Sequence, residues 1–448
     1  MVAIARFLSS PLSLSVVLGA FALAGCGSSD DGTSAASGGS SGGTAGSPGA
    51  AAGSAPIAGS ASNLGGAGAG GAAAPTAGAS GSTVGAAGGG AGSAAAGAGG
   101  TAPVAGAGGT PSTAGAGGGP MAGAGGGGSK PAVCNFTNGL NVAWVKFAND
   151  VPNPDLPTFK TIFKNNYDAG GRIIRWWFHT NGTVTPGYGS DGKANAIPQS
   201  HIDGVKALLG AANEAGVALV ISLWSFDMMQ DNAGTAYTNN QALLEKDENR
   251  QAYIDKYLTP LVTALKGTKG LYAYEIFNEP EGMGPKGWAT HRTTLEAIQK
   301  TVNWLTAAIR TADPNVLVTT SAQTFDTCSK ISGKSNLYSD DALRAVGGKQ
   351  NGTLDFYQVH YYTSNGISNS PFKNPATYWG LDKKLVMGEF YPDDTDGVLA
   401  KDLGKYLYEN GYNGAWYWST TDRKWPLGQT TLQTVVTAHA DAATCPAK

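Results

Sequence analysis

From Gly27 to about Pro131 the chain has no aromatic residue, and its only charges are Asp30, Asp31 and Lys130; the rest is almost entirely Gly, Ala, Ser, Thr and Pro. Such a stretch cannot bury enough apolar surface to offset chain entropy, so a disordered linker over 27–133 is expected. As a flexible coil of about 100 residues it would span ~50–60 Å r.m.s.. Within it, Gly66-Ala67-Gly68-Ala69-Gly70-Gly71 matches the dinucleotide pattern G-x-G-x-x-G, but no strand precedes it and no helix follows, so it is read as composition. Basic runs are missing and the net charge is −2, which leaves no electrostatic footprint for nucleic acid. The chain lacks C-x-x-C, and its five histidines (His179, His201, His291, His360, His439) lack H-E-x-x-H spacing, so neither a catalytic metal nor a cofactor is expected. Residues 134–448 contain no G-x-S-x-G, which removes the esterase elbow.

Residues 1–26 read as an export signal: Arg6, an apolar run through Val16-Val17-Leu18 and Phe21-Ala22-Leu23, then Ala24-Gly25-Cys26. Leu23-Ala24-Gly25-Cys26 resembles a bacterial lipobox. The resemblance implies cleavage before Cys26, acylation of that cysteine, and anchoring by lipid at the cell surface or outer membrane, with release to the extracellular space as a further fate. Four cysteines occur in all. With Cys26 lipidated, Cys134, Cys328 and Cys445 allow at most one internal disulfide. Cys134 and Cys445 flank the domain and are the expected pair; Cys328 with either of them is the rival.

Residues 134–448 hold every Trp, Tyr and His, the composition of one barrel-sized domain. Apolar runs at 140–144, 172–178, 217–224, 271–277, 316–321, 354–361, 384–390 and 414–419 alternate with amphipathic stretches such as 201–215, 250–265, 295–312 and 398–410. Eight β/α repeats predict an α/β fold, a closed (β/α)8 TIM barrel, whose chemistry sits at the C-terminal ends of the strands. The polar and aromatic residues gather there: Arg175 and His179, Trp224 to Asp227, Asn278-Glu279, His360 and Tyr362, Glu389, and Trp418.

The segment Tyr274-Glu275-Ile276-Phe277-Asn278-Glu279-Pro280 resembles the acid/base strand of retaining β-glycosidases, and Leu385-Val386-Met387-Gly388-Glu389-Phe390 resembles their nucleophile strand. Residues 134–448 are most similar to glycoside hydrolase family 5, the cellulase and mannanase family. The resemblance implies Glu279 as general acid/base, Glu389 as nucleophile and Asn278 on the sugar 2-hydroxyl. It further implies Arg175 beneath the nucleophile, His360 and Tyr362 on strand 6, and Trp418 as a sugar floor. One departure is the strand-3 end, Leu223-Trp224-Ser225-Phe226-Asp227, where many members carry a histidine. Physically, retention needs two carboxyls roughly 5–5.5 Å apart with unlike protonation. Arg175 is expected to keep Glu389 ionised and Glu389 to keep Glu279 protonated, with Tyr362 or His360 orienting Glu389. Trp224, Trp288 and Trp425 could be further sugar platforms or packing. Glu281 and Asp393-Asp394 read as solvated loop charges.

The expected activity is a retaining endo-β-1,4-glycan hydrolase acting, as a monomer, on plant cell-wall polysaccharide. Mannan or glucomannan is favoured because Arg175-Trp176-Trp177-Phe178 resembles the strand-2 pattern of mannanases. An endo-β-1,4-glucanase shares the same catalytic pair. A non-catalytic carbohydrate-binding lipoprotein would need neither Glu279 nor Glu389.

Overall fold

The computed structural model describes residues 131–420 and 425–446. The expected signal segment, lipobox Cys26 and the linker up to residue 130 lie outside the described residues. Eight parallel strands form one closed barrel in chain order: β1 Asn138–Asn141, β2 Ile173–Trp177, β3 Ala218–Ser225, β4 Leu271–Asn278, β5 Leu317–Ala322, β6 Tyr357–His360, β7 Leu385–Glu389 and β8 Ala415–Tyr417. β1 pairs with both β2 and β8, which closes the ring.

All eight strands fall on the expected apolar runs, but β1 begins earlier than the pattern indicates. Its polar residues hide it: buried Asn138 donates to the carbonyls of Gly170 and Leu432, and buried Asn141 donates to that of Gly388 at 2.8 Å. These amides do the work that apolar contacts do elsewhere, so a hydrophobic-periodicity reading starts the strand too late.

The helices around the barrel are α1 Leu156–Asp168, α2 Gln199–Ala215, α3 Ala236–Glu245, α4 Asp247–Tyr253, α5 Thr259–Leu265, α6 Leu295–Ala312, α7 Asp340–Gly347, α8 Leu403–Glu409 and α9 Trp425–Ala438. The expected helix over 250–265 is α4 and α5 joined through one π turn, Ile254–Leu258. In α6 the side chains of Ile298, Val302, Leu305 and Ile309 recur at helical spacing and are buried against the barrel, a gain of about 1.5–3 kcal/mol each. Thr294 caps its first turn by accepting from the Ala297 amide at 3.1 Å.

The barrel interior has three levels. Its floor is apolar: Ile173, Ala218, Val220, Tyr272, Ala273, Leu317, Phe356, Val386 and Trp416 pack together where the strands begin, with Cys134 among them. The middle level is polar and carries Arg175, Glu275 and Gln358. The mouth carries Glu279, His360 and Glu389 at the strand C-termini. Beneath the floor Cys134 and Cys445 form a disulfide with Cα atoms 5.8 Å apart, joining segments 311 residues apart, while Cys328 is a buried free thiol.

So long a closed loop predicts that Cys134→Ser or Cys445→Ser lowers unfolding free energy by about 2–5 kcal/mol. Denaturant unfolding of the oxidised protein and the variant measures the difference, and equal midpoints would refute it.

Candidate active site

Arg175, wholly buried on β2, organises the site, and each of its five N–H groups has an acceptor. Its Nε donates to Glu275 Oε2 and its Nη2 to Glu275 Oε1, both at 2.6 Å. Nη1 donates to Glu389 Oε1 at 2.6 Å and Asn141 Oδ1 at 2.9 Å, and Nη2 also reaches Asn278 Oδ1 at 2.7 Å. One guanidinium thus ties β1, β2, β4 and β7 together. Burial disfavours its charge, but Glu275 and Glu389 outweigh that and hold it protonated.

Both Glu275 and Asn278 meet Arg175 although they are three residues apart, which a regular strand, with its period of two, would not allow. A bulge resolves this: β4 advances three residues between Glu275 and Asn278 while β5 advances two, from Thr319 to Ser321. The next residue, Glu279, has φ 45° and ψ 55°, a left-handed conformation that non-glycine residues seldom adopt. Its amide donates to the Ser321 carbonyl at 3.1 Å, and Pro280 begins a one-turn helix after it. The local strain, of order 1–3 kcal/mol, turns the Glu279 side chain into the mouth.

There Glu279, His360 and Glu389 converge, with one ligating atom of each lying within 4.8 Å of the others. Tyr362 Oη donates to Glu389 Oε2 at 2.6 Å. His360 Nδ1 lies 2.9 Å from Glu279 Oε1 and 3.4 Å from Glu389 Oε2. Orientation of Glu389 therefore falls to Tyr362 and Arg175, and His360 engages Glu279 first. Buried beside Arg175, the imidazole is held well below its ordinary pKa and is neutral.

The two carboxyls are driven apart in protonation. Burial pushes Glu389 up, to about 7, against the pull of Arg175 and the Tyr362 hydroxyl. Burial raises Glu279 too, and the charges of Glu389 and Glu281 raise it further, well above the carboxylate range. Glu279 thus keeps its proton to higher pH than Glu389. One group can attack a carbon while the other protonates the departing oxygen.

Trp418 forms an aromatic wall with Trp177, ring centres 5.8 Å apart, and Trp144 at 6.5 Å; Tyr362 and Tyr391 pack against the same cluster. Trp224, a candidate sugar-binding residue, does not take that role. It is 1 % exposed, with its ring 4.4 Å from that of His179, so it offers no face to a sugar and serves as packing. His179 itself is held between Thr185 and Tyr253. Trp288 is half-buried on Phe226, and Trp425 lies half-buried beside Val145, Ile162 and Thr420.

Two residues were missed by sequence reading. Glu275 accepts from Arg175 and also from Ser222, Ser321 and Gln358. Its signal was a lone charge inside an apolar strand. Glu281, read as a solvated charge, is instead buried and accepts from the Gln323 amide at 3.1 Å, Thr327 Oγ1 at 2.8 Å and Tyr338 Oη at 2.6 Å.

Replacing Arg175 by Ala leaves Glu275 and Glu389 buried without their cation and is expected to cost about 3–5 kcal/mol. Denaturant titration measures it; a loss under ~1 kcal/mol would show that the hub is not needed for folding stability.

The family profile for cellulase (glycosyl hydrolase family 5) matches residues 134–423. The mannan endo-1,4-beta-mannosidase of Mytilus edulis is 34% identical over 315 residues, covering 65% of this chain and 85% of its own. That of Cryptopygus antarcticus is 34% identical over 310 residues, covering 63% and 80%. The X-ray structure of the blue mussel beta-mannanase superposes with a TM-score of 0.64 at 31% identity, covering 68% of this chain and 93% of the mussel chain. A closed eight-stranded barrel with a profile match over most of the chain leaves one assignment: this protein belongs to glycosyl hydrolase family 5.

Proposed function

We propose that the barrel is a retaining endo-β-1,4-mannanase, with Glu389 as nucleophile and Glu279 as acid/base. The observation that carries this reading is the approach of Glu279 and Glu389, an oxygen of each lying within 4.8 Å of the other, which fits the roughly 5–5.5 Å carboxyl spacing of a double displacement and falls short of the ~6.5–9.5 Å at which an inverting pair admits a water beside the sugar. Ionised Glu389, aimed by Arg175 and Tyr362, attacks the anomeric carbon and forms a glycosyl ester. Glu279 gives its proton to the departing oxygen. In the second step Glu279, now a carboxylate, takes a proton from water, whose oxygen attacks the same carbon and frees Glu389. Asn278, fixed by Arg175 at Oδ1 and by Ser225 at Nδ2, stands ready to meet the sugar 2-hydroxyl, and the Trp418 wall to meet a sugar face.

Mannan as substrate is supported by relatives 34% identical that are named mannan endo-1,4-beta-mannosidases. Incubation with galactomannan, glucomannan and carboxymethylcellulose is expected to give new reducing ends from the first two, falling by at least ~10⁴-fold in Glu389→Ala. Release from carboxymethylcellulose alone would make the protein a glucanase, and no release at all would make it a carbohydrate-binding protein.

We further propose that the protein is exported and held at the cell surface through lipid on Cys26, with residues 27–133 as a tether. The support is the Leu23-Ala24-Gly25-Cys26 sequence and the Gly/Ala/Ser composition after it. Cys26→Ala is expected to move the protein from the membrane to the soluble fraction of its host; unchanged membrane association would refute the anchor.

A further inference from the structure

Glu279 is the most crowded carboxyl of the site, and its neighbours are mostly of its own sign. Across the mouth stands Glu389 on β7. From its own turn, two residues on, comes Glu281. From the end of β3 comes Asp227: Ser225, in register with Asn278, accepts from Asn278 Nδ2 at 3.2 Å and donates through Oγ to Asp227 Oδ2 at 2.7 Å. The other groups facing Glu279 are neutral His360 on β6, Tyr362 after it, and Arg175 on β2, whose guanidinium is already committed to Glu275 and Glu389.

Among the described residues Glu281 and Asp227 are carboxyls without a cation partner. Both oxygens of Glu281 accept hydrogen bonds, from Gln323 on one and from Thr327 and Tyr338 on the other, which is the bonding pattern of the ionised form. Among the described residues Asp227 is paired with no Lys or Arg, and the hydrogen bond from Ser225 favours its charged form. A buried charge without a counter-ion is costly, and neither residue is needed for the double displacement itself. Both are attached next to Glu279, Asp227 through Ser225 and Asn278 and Glu281 along the same turn, and that attachment answers why they stand there.

We propose that Asp227 and Glu281 are positioning residues for the acid/base, a flanking pair of negative charges that holds the proton on Glu279 until the glycosidic oxygen takes it. This rests on Glu279 being the acid/base. The charges of both residues act on Glu279 in that direction, and Asp227, raised by burial to about 6, becomes negative as the pH approaches neutrality. Negative charge beside a carboxyl disfavours its ionised form, so the pair extends activity toward alkaline pH. Glu281 has a second consequence: through Gln323 and Thr327 it fixes the loop after β5, and the Gln323 carbonyl in turn accepts from Asn365 of the loop after β6. Charge control and loop placement thus share one side chain.

The sign is definite. Activity requires ionised Glu389 and protonated Glu279, so kcat/KM falls on the acid side as Glu389 gains a proton and on the alkaline side as Glu279 loses its own. Asp227→Asn or Glu281→Gln removes a negative charge, and the alkaline limb is expected to move about 0.5–1 pH unit toward neutrality. One unit above the native limb this is a ~3–10-fold loss of kcat/KM, with plateau kcat within ~2-fold and the acid limb unmoved. The profile is measured on the full domain with soluble galactomannan, beside thermal melts of each variant. Should Glu281→Gln fail to fold through its loop contacts, Asp227→Asn, whose side chain lies nearer the surface, carries the test alone. An alkaline limb unmoved in the folded variants overturns the proposal. The underlying assignment has its own control: with an aryl β-glycoside bearing a good leaving group, Glu279→Gln is expected to abolish the alkaline limb altogether, and its survival there would sink the role of Glu279 and not that of its neighbours.

Discussion

The guanidinium of Arg175 is the constraint around which this barrel is built. A buried ion network of this kind brings little net stability, since the desolvation of its members cancels most of their attraction. An apolar layer of the same volume would hold the barrel closed about as well, as the floor below it demonstrates with Val220, Leu317, Phe356 and Trp416. What an apolar layer lacks is direction. Five donors in a rigid plane fix Glu389 at one end, Asn278 at another and Glu275 along the edge, so the mouth inherits its geometry from a single side chain. Glu275 shares the single positive charge of Arg175, so the guanidinium is not spent on Glu389 alone.

The irregularities of β4 serve that same plane. Its bulge lets Glu275 and Asn278 both face inward, and the left-handed backbone at Glu279 lifts the following carboxyl clear of the layer. Ser321 receives the consequences, accepting the Glu279 amide at its carbonyl and donating from Oγ to Glu275. Strain confined to one residue is tolerated because Asn278 before it is held from β2 and β3 and its own amide from β5.

Much of this was legible beforehand, for physical reasons that differ from element to element. Strands buried on both faces show as short apolar runs, so the eight-fold alternation stood out, and Asn278-Glu279-Pro280 and Gly388-Glu389-Phe390 marked two strand ends by placing polar residues after apolar ones. The start of β1 was hidden because Asn138 and Asn141 satisfy backbone groups instead of packing. Glu281 and Asp393 look alike in sequence, both acidic and both in loops; which one is buried depends on Tyr338 and Thr327, more than 40 residues away. Trp224 could not be told from a sugar platform, because the ring that covers it belongs to His179, in the loop after β2. Partners brought together by the fold are what a linear pattern omits.

The floor has a mechanical meaning as well. The described chain enters at residue 131 and reaches Cys134 among the residues that start the strands, and the disulfide to Cys445 ties the last described segment to the same spot. Entry and exit therefore share one pole of the barrel, and Glu279 and Glu389 occupy the other. A pull on either end of the described chain is borne at that pole by a covalent clasp, so the load passes below the floor and leaves the mouth out of its path.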